Sequence, residues 1–153
     1  MKQYIEIPVQ QTLEECAKQT SFDLQSLRAR GVETANAVYD DWVMHEDVFP
    51  LIYPLMGEYA AYMALVLRTM VESYDVDTEN HIQYTLNIAD DMKIPATANN
   101  EAMTYFKYKV LAWWYQYRDA ELSVVYANKA EVALNNVFML CIPRTGTSIG
   151  RYF

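Results

Sequence analysis

The chain has 153 residues, 52% of them hydrophobic, and a formal net charge of −8. That length suits one domain with a single core, and the apolar content excludes a disordered acidic tail. No cluster of Lys and Arg is present of the kind that wraps nucleic acid, where cations must replace condensed counterions.

The acids lie early. Residues 1–100 hold 16 acids and 6 bases, residues 101–153 hold 4 and 6, and no acid follows Cys141. Thirteen tyrosines and eight methionines point to large contact surfaces, and only four glycines and five prolines to few long loops. Cys16 and Cys141 lack CxxC spacing and read as buried free thiols of a reducing compartment. The start "MKQYIEIPV" has no apolar h-region, so no secretion signal is expected.

In chain order, Ile5, Ile7 and Val9 alternate with Glu6 and Pro8, which predicts a short strand with Pro8 at a sheet edge. Thr12 and Glu15 match a capping box, with a helix over about 13–18 and a further turn or two ending at Gly31. Residues 33–45 read as another helix. The stretch "VFPLIYPLMGEYAAYMALVL" (48–67) carries one charge, Glu58, which a membrane span would place near its centre. A helix buried in protein is the better reading. Leu55, Tyr59, Met63, Val66, Met70 and Tyr74 recur every three to four residues and predict a helix over 51–74.

"HIQYTLNI" alternates over eight residues and predicts a half-buried strand, paired either with the first strand or with one from a neighbouring subunit. Asn99 or Asn100 reads as the N-cap of a helix to about Arg118. A last helix covers about 121–139. Pro143, Gly146 and Gly150 then predict an extended tail over 141–153, leaving 1–140 as a helical domain. The fold class expected is mainly α, a helical bundle with one or two short strands and that tail.

On the penultimate helix Met103, Phe106, Val110, Trp113, Trp114 and Tyr117 fall on one arc of about 100°. Tyr108, Leu111 and Tyr115 form a second arc, with Lys107 and Arg118 between the two. Two apolar faces imply two partners, the chain's own core and a second subunit. Arg118, four residues after Trp114 and three before Glu121, can stack on the indole and pair with the acid. The aromatic cluster is therefore read as packing, not as a ligand box.

The segment "KVLAWWYQYRDAEL" (109–122), with Trp114-Tyr115-Gln116-Tyr117-Arg118 as its Trp-Tyr-x-x-Arg element, resembles the signature helix of head–tail connector, or adaptor, proteins of tailed bacteriophages. "TLEECAK" (12–18) is similar to the start of that family's first helix, and "TLNIADDMKIPATANNEAM" sits where its linker would lie. Region 19–60 is longer than the family's pattern and holds the proline pair.

The resemblance implies a structural virion protein. Such helical subunits form a ring, usually of about twelve, below the portal at the head–tail neck. They extend the channel that DNA passes without sequence-specific binding, and their partners are the portal and further neck or tail proteins. Assembly in the host cytoplasm, no cofactor and no membrane follow. The tail would reach the portal, so Ile142, Arg144, Ile149, Arg151, Tyr152 and Phe153, with Tyr108 and Tyr115, are the expected portal or subunit contacts. Trp113, Trp114, Tyr115 and Arg118 are the signature-helix residues.

Catalytic patterns are sparse. His45, Glu46 and Asp47 are adjacent and point apart on a helix, and Asp41 with His45 gives only two possible ligands. His81 falls on the polar side of its strand. "RTGTSIG" (144–150) has a phosphate-loop composition without its Lys or a following helix. A metal site and catalysis are not expected. The alternative function is a small helical binding or regulatory domain that holds a peptide or apolar ligand between helices, with an enzyme of unrecognised type third.

Overall fold

The structure, a computed structural model, describes residues 2–31, 42–88 and 92–142. It is mainly helical, with a small three-stranded antiparallel sheet. Strand β1 (Lys2–Pro8) buries Ile5 and Ile7 and pairs antiparallel with β3 (His81–Asn87), Ile5 opposite Tyr84 and Ile7 opposite Ile82. The two expected strands therefore pair within one chain. The third strand, β2 (Val71–Asp77), lies on the other side of β3, giving the order β1-β3-β2.

β2 occupies the end of what the spacing predicts as a helix over 51–74. Helix α2 (Phe49–Val66) instead stops at Val66, and residues 67–70 turn into the strand. Met70 and Tyr74 match a helical period by coincidence. Tyr74 sits opposite Tyr84 on β3 and stacks on it at 5.6 Å, so cross-strand pairing overrides the local pattern. The hairpin turn is held by Asp77, whose carboxylate accepts from the Glu79 N–H (3.3 Å) and the Asn80 amide (2.8 Å). The Asn80 bond, first, holds that carboxyl below its ordinary value.

Helix α1 (Val9–Ala29) follows Pro8 directly and runs unbroken, since no Gly or Pro interrupts residues 9–29. Thr12 is thus not an N-cap. It is buried in the first turn and its hydroxyl donates to the Pro8 carbonyl at 2.7 Å. Leu13, Cys16, Thr20, Leu24 and Leu27 line the buried face, and Gly31 follows the helix at φ +71. Most of the helix expected over 33–45 lies outside the described residues. Trp42, Val43 and Met44 are buried, and the Met44 N–H donates to the Thr20 hydroxyl at 2.9 Å. A short 3-10 turn (Glu46–Val48) leads into α2, which carries Pro50 in its first turn and tolerates Pro54 further in.

Helix α3 (Thr97–Tyr115) starts before Asn99, whose side chain serves the sheet instead of capping the helix: its carbonyl accepts from the Glu6 N–H at 3.1 Å. Helix α4 (Ala120–Cys141) has a true side-chain cap in Asp119, which accepts from the Leu122 N–H at 3.1 Å. Ser123 bonds to Ala112 and Asn136 reaches Glu101, so α3 and α4 form an antiparallel hairpin. α4 includes Cys141, and the remainder of the expected tail lies outside the described residues.

The two apolar arcs of α3 both find partners inside the chain. Leu111 and Tyr115, assigned by the wheel to a second-subunit face, are completely buried, as are Phe106 and Val110. Tyr117 corrects the wheel in the other direction: it is 90% exposed, because α3 has already ended at Tyr115. The β-sheet packs on α2 through Tyr84, whose hydroxyl donates to the Ala60 carbonyl at 2.7 Å.

Phe106 has no exposed surface and meets Tyr105 edge-on at 5.2 Å. Replacing it with Ala is expected to lower unfolding free energy by about 3–5 kcal/mol. Urea titration would read this as an earlier midpoint with an unchanged slope.

Candidate functional site

Asp23 on α1 gathers side chains from three helices. The Tyr115 hydroxyl (α3) and the Tyr126 hydroxyl (α4) donate to its Oδ2 at 3.0 and 2.6 Å, and Gln19 donates to Oδ1 at 2.9 Å. The two tyrosine rings stack at 5.8 Å with 14° between planes. Tyr126 stacks in turn on Tyr108 at 5.6 Å, and Lys129 lies over both rings at 5.5 and 5.6 Å. Lys107 adds a second ammonium 5.7 Å from the Tyr108 ring. Burial, then the Asp23 charge and its hydrogen bond, push the Tyr115 phenol far above its ordinary value. For Tyr126 burial is followed by the Asp23 hydrogen bond and charge.

A carboxylate with phenols nearby can be a catalytic pair. Here both tyrosine rings are buried and each Asp23 oxygen accepts from a fixed donor, so the arrangement joins helices.

The signature-helix residues are structural in the same sense. Trp114 is buried and its indole N–H donates to the Trp42 carbonyl at 3.0 Å. The Arg118 guanidinium lies 3.7 Å from the Trp114 ring and donates to the Trp114 carbonyl at 2.8 Å. The stacking expected of Arg118 is present and closes the α3–α4 turn. Trp113 is half-buried and tilted against Trp114 at 6.2 Å.

Of the expected contact residues, Tyr115 belongs to the chain's own core, which corrects its assignment to a partner surface. Tyr108 and Ile142 are half-buried, Tyr108 in the aromatic stack and Ile142 against the core as the C-cap of α4. Arg144, Ile149, Arg151, Tyr152 and Phe153 lie outside the described residues, as does the 144–150 loop. His45, Glu46 and Asp47 are exposed around the 3-10 turn. His81 is 3.7 Å from Asp75. Among the described residues no group of three His, Cys, Asp or Glu is placed to hold a metal. Both cysteines are buried, and burial pushes the Cys141 thiol up to about 11 and that of Cys16 higher.

What the sequence reading missed is the outer face of α4. Val125, Val132 and Met139 recur every seven residues and are 45%, 61% and 47% exposed, opposite the buried Tyr126, Ala130, Ala133 and Val137. Asn128 and Asn135 lie between them, and Val124 beside them is 59% exposed. A helical wheel of residues 121–139 displays this stripe without a structure. Beside it, α3 and α4 enclose a groove of about 360 Å3 lined by Glu101, Thr104, Tyr108, Lys129 and Val132. No helix among the described residues is long and apolar enough to cross a membrane. Comparison of the chain with family models, curated proteins and solved structures found no match.

Removing the Asp23 carboxylate leaves two buried hydroxyls without their acceptor. Asp23→Ala is expected to cost about 2–3 kcal/mol, and Asp23→Asn about half that, because an amide oxygen still accepts. Chemical denaturation of both variants measures the difference.

The tyrosines also set the alkaline limit. Burial, then Glu58, pushes the Tyr59 phenol up to about 12, and burial raises Tyr84 and Tyr105 further. A phenol kept neutral in the fold but free to ionise when unfolded gives stability that is complete below about pH 10. For Tyr59 that contribution is lost as pH rises from the unfolded value through about 12. Denaturation midpoints are expected to fall across this window, and Tyr59→Phe to reduce the slope.

Proposed function

We propose that this chain is a structural subunit of a head–tail connector, assembling as a ring below a portal and extending its DNA channel. The observation that carries the reading is the exposed valine row on α4. Val125 and Val132, with Val124 beside them, are exposed on a 22-residue helix whose opposite side forms the core. Scattered exposed apolar residues are ordinary, but an aligned row on one helix is a contact surface. The likeness of residues 109–122 to the connector signature supplies the kind of partner. Segment 143–153, with Arg144, Ile149, Arg151, Tyr152 and Phe153, adds contacts to a neighbouring subunit or the portal.

A second reading, a binding domain for a peptide or apolar ligand, draws on the α3–α4 groove, which Tyr108 and Val132 line. It requires the free chain to stay monomeric and to be stabilised by its ligand.

Mass photometry of the full chain, alone and with a tailed-phage portal protein, separates the two. The connector reading expects a ring-sized increment, lost in Val125→Lys/Val132→Lys, while the unfolding free energy of that variant moves by less than about 0.5 kcal/mol per substitution. A chain that remains monomeric with the portal present overturns it.

A further inference from the structure

The two edges of the sheet are not equivalent. On β1 the Glu6 N–H points outward and is taken by Asn99, while Gln3 donates to the Met92 carbonyl (2.7 Å) and accepts from the Ile94 N–H (2.7 Å). Pro8 has the same parity as Glu6, so its missing N–H also lies on this side. The β1 edge is thereby closed by the start of α3 and the segment before it. On β2 the four consecutive residues Glu72, Ser73, Tyr74 and Asp75 are exposed. Among the described residues nothing bonds to its outer backbone beyond the contact of Val71 with Leu67 at its start. An antiparallel strand paired on one side leaves alternate N–H and C=O groups facing away. This edge is open.

Charge decides what can fill it. Glu72, Asp75, Asp77 and Glu79 fall within eight residues. Lys2 meets Glu72 at 3.5 Å and His81 lies near Asp75, so the edge remains net negative. Two copies of β2 would bring these acids together, which blocks edge-to-edge pairing of like strands. Residues 143–153 carry Arg144 and Arg151 and no acid. There Thr145, Thr147 and Ile149 alternate with Gly146, Ser148 and Gly150, a period-two pattern of β-branched residues. Fully extended, eleven residues reach at most about 36–40 Å, the width of a domain of this size.

We infer that the β2 edge of one subunit accepts residues 143–153 of a second copy as an added strand, Arg144 and Arg151 meeting its acids. The inference rests on the connector reading and names one of its subunit contacts. The two surfaces differ, and each repels itself, so the contact is head-to-tail, the kind that closes into a ring when the rotation allows.

The test uses full-length Ser73→Cys and Thr147→Cys variants, mixed in equal amounts and oxidised, with and without the portal protein. Cys16 and Cys141 are buried, which leaves the introduced thiols as the reactive pair. A disulfide-linked heterodimer is expected from the mixture, and a ladder of linked subunits from the double variant. Glu72→Lys/Asp75→Lys should raise the concentration for half-assembly at least about tenfold, and Arg144→Glu/Arg151→Glu in the same chain should restore it. An internally linked single chain overturns the inference, because the segment then folds onto its own edge. Ring-sized particles without the cross-link, indifferent to the charge swap, also overturn it but leave the connector reading standing. Absence of any multi-subunit particle overturns both.

Discussion

One carboxylate joins three helices. Asp23 accepts the hydroxyl of Tyr115 from α3 and that of Tyr126 from α4, and the rings behind those hydroxyls stack on each other. A buried phenol without an acceptor costs about 1–3 kcal/mol, so each tyrosine can enter the core only where an acceptor waits. The same constraint recurs elsewhere. Tyr84 of the sheet is satisfied by the Ala60 carbonyl of α2, and Tyr105 of α3 approaches the Tyr59 carbonyl of α2. Every one of these bonds joins different elements. The abundance of tyrosine therefore has a structural meaning: the ring supplies apolar area and the hydroxyl fixes the register between neighbours.

Much of the fold was legible because burial is periodic. The alternation of Ile82, Tyr84 and Leu86 placed β3, and Ile5 with Ile7 placed β1, since each strand buries one face only. Boundaries were less legible where a polar side chain could serve two roles. Thr12 looked like a cap, but with the helix starting at Val9 its hydroxyl turns back to Pro8. Asn99 looked like a cap and instead closes the β1 edge. β2 was hidden for another reason. It carries four exposed residues in a row, and its identity as a strand comes from its partner β3.

The aromatic segment of α3 shows where helical periodicity runs out. Its two apolar arcs were visible in sequence, yet nothing local tells whether a second arc meets another subunit or another helix of the same chain. Tyr115 settles that only through Asp23, 92 positions away, in a segment with no signal beyond one acid on a helix. Trp114 is likewise completed by the Trp42 carbonyl, 72 positions away. Long-range acceptors of this kind have no spacing rule, so the packing role of the cluster was readable and its partners were not.

The outward stripe of α4 has an energetic character of its own. Valine alternating with asparagine is a weak apolar surface: it costs little to leave in water and gains on being covered only if the asparagines find partners or retain water. A row of leucines would drive indiscriminate association, whereas Val125 and Val132 interleaved with Asn128 and Asn135 would be covered well only by a surface that matches both kinds of group. On the connector proposal, such a face suits a subunit that must persist alone before it is incorporated. The closed β1 edge and the acid-guarded β2 edge act in the same direction, since each prevents premature pairing of identical strands. Assembly on that proposal draws its specificity less from the strength of any one contact than from the mismatches that exclude wrong ones.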